Sequence, residues 1–529
     1  MDQPTPLPGQ CDVLVVGAGP AGSACAHELA RAGLDVLLAD QHDFPRDKVC
    51  GDGLIPDTHA ALRRLGVYEE VAALAAHAQH VRCIAPRGAF VDVAGTLSVL
   101  PRKTLDHILV RAAQRAGARL LTPLRFEAPL LEGERVVGAR FQAGGSGHEI
   151  AARWVVLATG AVPQALIAAG LCERRTPSGV ALRGYVRHEA MVGRITQLQL
   201  VWHPRLRGGY GWIFPAPGGL FNIGTGLTGS HVVQRNGKGH MQNVNLRDML
   251  DAFCEVYAPA RELMTGGELQ GDIKGAPLRC TLRGARWSRP GLLVTGEAAG
   301  STYAFSGEGI GKAMETGLLA AEALLAPLRQ GADDEAVRQR YEAALALLQP
   351  RFDLYETASH VNLRRMLDDF CAIHAPAGEL MAGGELQGEI KGAPLRCTLR
   401  GARWSRPGLL VAGEAAGSTY AFSGEGIGKA METGLLAAEA LLAQRENGHG
   451  SSDETVRERY ESTLRALQPR FDLYETASHV NHRPWIADLV VWRARRSPRI
   501  RSRLSGILEE TQNPGRLFSW SGMTKLMFE

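Results

Sequence analysis

Three glycines and one acid, by their spacing, carry the first chemistry in this sequence. Gly17, Gly19 and Gly22 form the run GAGPAG, and Asp40 follows 18 residues after Gly22. A turn of this kind opens a helix whose free N–H groups and dipole face a pyrophosphate, while an acid at the end of the next strand reaches ribose hydroxyls. Gly17 permits the tight turn, Gly19 lets the backbone approach the phosphates, and Gly22 lets helix pack on strand. An acid at position 40, where a 2′-phosphate would call for a base, points to FAD or NAD over NADP.

The elements that must position these residues are written on both sides of them. DVLVVG (12–17) reads as a buried strand, SACAHELARAG (23–33) as a helix, and DVLLAD (35–40) as a second strand. Together they make a complete βαβ unit; the bland alternative is a glycine-rich turn with no ligand. Three later segments turn the reading toward flavin. Arg102 precedes a helical pattern, WVVLATG (154–160) is a further buried strand, and GLLVTGEAAGSTYAFSGEGIGKAMETG (291–317) is a third. That third strand delivers Gly296 and Glu297 to a glycine-rich turn, with Gly307 and Gly309, and then to a helix. An acid there suits a ribityl or pyrophosphate contact.

At this point the sequence resembles the geranylgeranyl reductase family of FAD-dependent oxidoreductases, within the p-hydroxybenzoate-hydroxylase-like flavoproteins. The resemblance rests on GAGPAG, DKVCGDGL (47–54), Arg102, YGWIFP (210–215) with NIGTG (222–226), and GEAAG…GEGI. It implies FAD as cofactor, with Gly17, Gly19, Gly22, Asp40, Lys48, Arg102, Gly296, Glu297, Gly307 and Gly309 holding it. It also implies that the loop around Cys50 lies beside the isoalloxazine, and that Tyr210, Trp212 and Phe214 wall an apolar substrate pocket. Cys50, Tyr210 and Trp212 are the catalytic candidates. Cys50 has the alternative of a buried small hydrophobe, Lys48 of a solvated charge, and the aromatic stripe of plain core. Two departures stand out: Arg207 occupies a position where the family carries Pro or Gly, and its GDA triplet reads GEA. The acid is therefore one methylene longer, at Glu297 or at Glu414, its equivalent in a second copy.

Part of the chain is written twice. Residues 245–326 align without gaps on 362–443 with 73 of 82 identical, and QPRFDLYETASHVN stands at both 349–362 and 468–481. Two long units are too few and too long for a solenoid, whose repeats run to about 20–50 residues. The 529 residues, about three domains at roughly 150 each, reduce to 412 for a single copy. The repeat holds GEAAG and GEGI but neither GxGxxG nor YGWIFP, so both copies compete for one slot beside a single βαβ unit.

Composition excludes several classes. With 45% hydrophobic and 22% charged residues the chain is neither disordered nor fibrous, and a net charge of +4 makes no case for nucleic acid. Nine scattered cysteines, without CxxC or zinc spacing, suggest reduced thiols in a cytoplasmic setting, and no metal site is expected. There is no signal pattern and no spanning run. The basic stretch VVWRARRSPRIRSRLSGIL (490–508) reads either as a surface helix resting on anionic lipid at the inner membrane face or as a solvated helix broken at Pro498.

The expected fold class is α/β: a Rossmann-like FAD-binding domain with a parallel sheet, an antiparallel-sheet substrate domain, and a duplicated C-terminal FAD-domain segment. The expected division is 1–175 for the N-terminal FAD part and 176–244 for the substrate strands. Residues 245–361 are the first closing segment, 362–481 its duplicate, and 482–529 the basic tail. The expected activity is reduction of C=C bonds of an isoprenoid or polyene-like substrate by reduced flavin. An external donor, NAD(P)H or a redox protein, is needed because no second βαβ unit with a GxGxxG turn is present to bind a nicotinamide. The alternatives are a flavin monooxygenase or halogenase, against which WIFP stands where halogenases carry a WxWxIP-type segment, and a protein left inactive or misassembled by its duplication.

Overall fold

The computed structural model describes residues 7–86, 88–172, 177–206, 209–228, 245–282, 286–330, 333–360, 371, 375–384, 395–400, 403–421, 424–446, 453–478, 492, 495–500 and 502. Arg207, Gly208 and most of 490–508 lie outside these. The chain divides into two compact units, 1–378 and 379–529.

The first unit is built on two sheets. In one, β1 (Gln10–Val16) runs parallel to β2 (Val36–Ala39) on one side and to Ser146–Leu157 on the other, with Leu14 opposite both Leu37 and Val155. Arg119–Leu121 continues the sheet beyond β2, and Leu292–Val294 beyond Ser146–Leu157, all in parallel. Val13 to Val16 are buried because helices cover both faces of such a sheet, which is why the run is continuously apolar. Between β1 and β2 lies α1 (Pro20–Arg31), with proline at its first position.

The second sheet follows the order 268–269, 179–187, 220–228, 210–216, 198–202, 76–84, 90–99 and 53–54. It is antiparallel except where Leu198–Val201 runs parallel to Val81–Ile84. Four separate stretches thus contribute: residues 53–54, the hairpin 76–99, the strands of 179–228, and residues 268–278 of the first copy. Helices Leu246–Val256 and Ala258–Gly266 bring Met249, Phe253 and Leu263 into the core with Ile213 and Ile223.

Both copies adopt the same local elements. The 3₁₀ turn Gly296–Ala299 recurs as Gly413–Ala416, the bridge Cys280–Thr302 as Cys397–Thr419, and the helix Ile310–Gln330 as Ile427–Glu446. They differ in what the strand meets. Leu292–Val294 of the first copy completes the parallel sheet against Val155–Leu157. Among the described residues, Leu409–Leu410 of the second pairs only with Ser405–Arg406.

Candidate functional site

The turn after β1 can be traversed only by glycine at two points. Gly17 has φ +103° and a Cβ there would overlap the carbonyl of Ala158; a Cβ on Gly22 would overlap the carbonyl oxygen of Gly17. Asp40 closes the unit: its Oδ2 accepts from the N–H of Ala18 at 2.8 Å and its Oδ1 from that of His42 at 3.0 Å. Each carboxylate oxygen keeps a second lone pair for a ribose hydroxyl.

Two guanidinium groups face the start of α1. A Cβ on Gly19 would stand 3.7 Å from Arg46 Nη2 and 3.9 Å from Arg102 Nη2. Arg102 is buried and grips Asp106, one helical turn on, through Nε at 2.6 Å and Nη2 at 2.8 Å. Arg46 Nη1 lies 3.0 Å from the same carboxylate yet makes no hydrogen bond, so a buried donor remains unmatched. One carboxylate against two guanidiniums leaves a net positive site at a helix N-terminus, in a place cleared by glycine. That is the arrangement a pyrophosphate requires, and these residues fit an FAD.

The first copy supplies the next wall. Gly296 takes φ +65°, packs on Ala21 and donates its N–H to Thr316 Oγ1 at 3.0 Å. Glu297 accepts from Lys48 Nζ at 3.4 Å and from Thr302 Oγ1 at 3.3 Å. At Gly307 (φ +71°) a Cβ would overlap the hydroxyl of Tyr210, which donates to the carbonyl of Ser306 at 3.1 Å, and a Cβ on Gly309 would press on Thr302. Glu308, in the same turn, is pushed up to about 7 by burial and then by the charge of Asp57. Glu414 belongs to the second unit, where it accepts from the N–H of Arg396 at 3.0 Å.

Tyr210, Trp212 and Phe214 share one face of their strand, with ring centroids 6.0 and 6.4 Å apart in succession. The stripe continues through Trp202, 6.1 Å from Tyr210, to Phe305, which stacks on Trp202 at 5.7 Å. The loop 50–53 lies directly on it: a Cβ on Gly51 would be 3.3 Å from the ring of Phe214 and 3.6 Å from Trp212 Nε1. Cys50 is half-buried.

What joins the loop to the aromatic strand is a buried polar network that motif reading passes over. Trp212 Nε1 donates to Asn222 Oδ1 at 2.9 Å; Asn222 Nδ2 donates to the Cys50 carbonyl and to Asp52 Oδ2, both at 2.8 Å. Tyr185 donates its hydroxyl to the same Asp52 oxygen, and the N–H of Arg102 donates to Oδ1 at 3.3 Å. Arg183 stacks on Tyr185 and pairs with Asp47, itself bound by Lys274. Burial alone would raise the Asp47 carboxyl, but the charges and hydrogen bonds of Arg183 and Lys274 together outweigh it and hold the group low. Asp52 and Asn222 lie inside DKVCGDGL and NIGTG, so the motifs contain them; Arg46, Asp106 and Tyr185 carry no local signal beyond the i,i+4 spacing of Arg102 and Asp106.

Asp52 sets a pH dependence. Burial pushes its carboxyl up to about 6, against the hydrogen bonds of Tyr185 and Asn222 that pull it down. The unfolded value is about 3.9, so the folded state holds the proton more tightly. The stability from this group is full below that value and is lost as pH rises through about 6. The loss amounts to about 3 kcal/mol. Asp52 has φ 63°, which asparagine tolerates. Asp52→Asn should therefore fold and should flatten the pH profile of the melting temperature across this window; an unchanged slope would exclude Asp52 as its source.

Comparison with known proteins agrees with this geometry. A family model described as an FAD binding domain matches residues 10–184. The menaquinone reductase of Mycolicibacterium smegmatis is 31% identical over 337 residues, covering 59% of this chain and 76% of the relative. The digeranylgeranylglycerophospholipid reductase of Methanosarcina acetivorans is 30% identical over 328 residues, covering 60% and 76%. Among solved structures, a geranylgeranyl bacteriochlorophyll reductase-like protein from Thermoplasma acidophilum superposes with a TM-score of 0.56 at 22% identity, covering 66% of this chain and 87% of that one.

Proposed function

The chain belongs to the geranylgeranyl reductase family of FAD-dependent oxidoreductases, and from that premise we propose that it reduces C=C bonds in the isoprenoid chain of a lipid or quinone. When bound and reduced, FAD supplies hydride. The chain's own residues do the rest. Gly19, Arg46 and Arg102 hold the pyrophosphate, and Asp40 and Glu297, the latter steadied by Lys48, take hydroxyls of the ribose and ribityl chains. Trp212 and Phe214, with Tyr210, present an apolar wall that excludes water and lays an extended chain along the strand. Cys50 is held at the flavin end of that wall by the bond of its carbonyl to Asn222. Protons come from an acid still partly protonated near neutrality, and Glu308 is the described side chain that meets this requirement beside Tyr210.

The observation that carries this reading is the contact of the Cys50–Gly53 loop with Trp212 and Phe214 while Arg102 stands at the pyrophosphate end. The donor that reduces the flavin is read as NAD(P)H or a redox protein, since the one GxGxxG that follows a strand and opens a helix is taken by FAD. No described helix is long and apolar enough to cross a membrane. Delivery of a membrane-borne substrate at the inner face of the membrane, from the cytoplasm, rests on the basic segment 490–508.

The test is anaerobic. Protein reduced by dithionite and freed of excess reductant should regain the yellow of oxidised flavin on adding a polyprenyl quinol or geranylgeranyl lipid, with product two hydrogens heavier per turnover. Flavin that reoxidises only when dioxygen is admitted, giving a hydroxylated or halogenated product, would replace this reading with monooxygenase chemistry.

A further inference from the structure

The helix Ile310–Gln330 of the first copy buries one face. Ile310, Met314 and Leu318 are 6%, 0% and 5% exposed, in a cluster with Ala24, Leu62 and Leu105. Its glycines allow close approach: a Cβ on Gly317 would overlap the carbonyl of Ala21, and one on Gly311 would press on the Asp57 carboxylate. The helix Ile427–Glu446 of the second copy carries the same residues at the same spacing. There Ile427, Met431 and Leu435 are 83%, 63% and 64% exposed, Leu441 and Leu442 are exposed too, and Gly428 and Gly434 face open space. Ile427, Met431, Gly434, Ala438 and Leu441 follow one another at steps of four and three, the spacing of a helix-pairing seam.

We propose that this chain pairs with a second copy of itself through the apolar face of the helix Ile427–Glu446. The argument is one of numbers. Each chain has one βαβ unit to be covered and two segments able to cover it, so exchanging one segment for the other, within or between chains, always leaves one such face bare. A second chain brings the same bare face. Across a two-fold axis, Ile427, Met431 and Leu435 meet their own equivalents, and Gly434 lets the backbones approach. The seam is flanked by acid, Glu439 being exposed, and the neighbouring Lys429 is buried and bound to Glu432 at 2.9 Å. A membrane surface would instead call for exposed Lys and Arg along that flank.

Sedimentation of the full-length, FAD-loaded chain over a concentration series tests this. The wild type should be a dimer. Met431→Glu with Leu435→Glu should be a monomer of unchanged flavin content, because each buried carboxylate weakens pairing by more than about tenfold. Gly434→Cys should form a disulfide between chains on oxidation with diamide, a bond the wild type does not form. A monomeric wild type, a dimer that survives the double substitution, or a dimer in which Gly434→Cys fails to cross-link would each overturn the proposal.

Discussion

Arg102→Ala is expected to purify without FAD and to lose about 3–5 kcal/mol of stability in the first unit. The reason lies in Asp106, which is fully buried and accepts both forks of Arg102 at 2.6 and 2.8 Å. Removing the guanidinium strands that carboxylate with only Arg46, whose approach at 3.0 Å is not a hydrogen bond. The same substitution takes a positive charge from the N-terminus of α1, where the pyrophosphate would sit. Arg102→Lys separates the two effects: it keeps the charge but not the fork, so flavin should bind weakly while stability falls less. The checks are the flavin-to-protein absorbance ratio after gel filtration and a denaturant titration. An Arg102→Ala protein with a full complement of flavin would show that the cradle lies elsewhere.

The second large effect is expected at Trp212. Trp212→Ala removes a buried ring that fills the space a Cβ at Gly224 would need, at a cost of about 3–5 kcal/mol. It also leaves Asn222 without its indole donor, so the link from strand to Cys50 loop and Asp52 loosens. Trp212→Phe keeps most of the wall and loses only the hydrogen bond, about 1–3 kcal/mol. Reductase activity should therefore collapse in the alanine variant and survive, reduced, in the phenylalanine one, with FAD retained in both. Equal losses in the two would mean that the hydrogen bond, and not the wall, is what catalysis needs.

Both predictions draw on residues of two kinds. Arg102 and Trp212 announce themselves in the sequence, one ahead of a helical pattern and the other in an aromatic alternation. Their partners do not. Asp52 and Asn222 read as punctuation within glycine-rich motifs, and only folding shows them sharing a hydrogen bond at 2.8 Å across 170 residues of chain. The second sheet was legible from the aromatic alternation of 210–214, but not from the hairpin 76–99. That hairpin joins through one parallel pairing with Leu198–Val201, and no local pattern announces a partner more than a hundred residues away.

The sequence by itself determined the βαβ unit, the flavin it serves, the aromatic stripe and the presence of two near-identical closing segments. These are local matters: glycine conformational freedom, strand and helix periodicity, and charge at a helix start act over a few residues. Which segment closes the sheet was decided by tertiary structure alone. Identical side chains cannot distinguish two copies; only pairing with Val155–Leu157 and packing on α1 can, and Leu292–Val294 takes that place. The consequence is physical as well as topological. The same isoleucine, methionine and leucine are core in one copy and surface in the other, because burial is a property of what a residue meets and not of what it is.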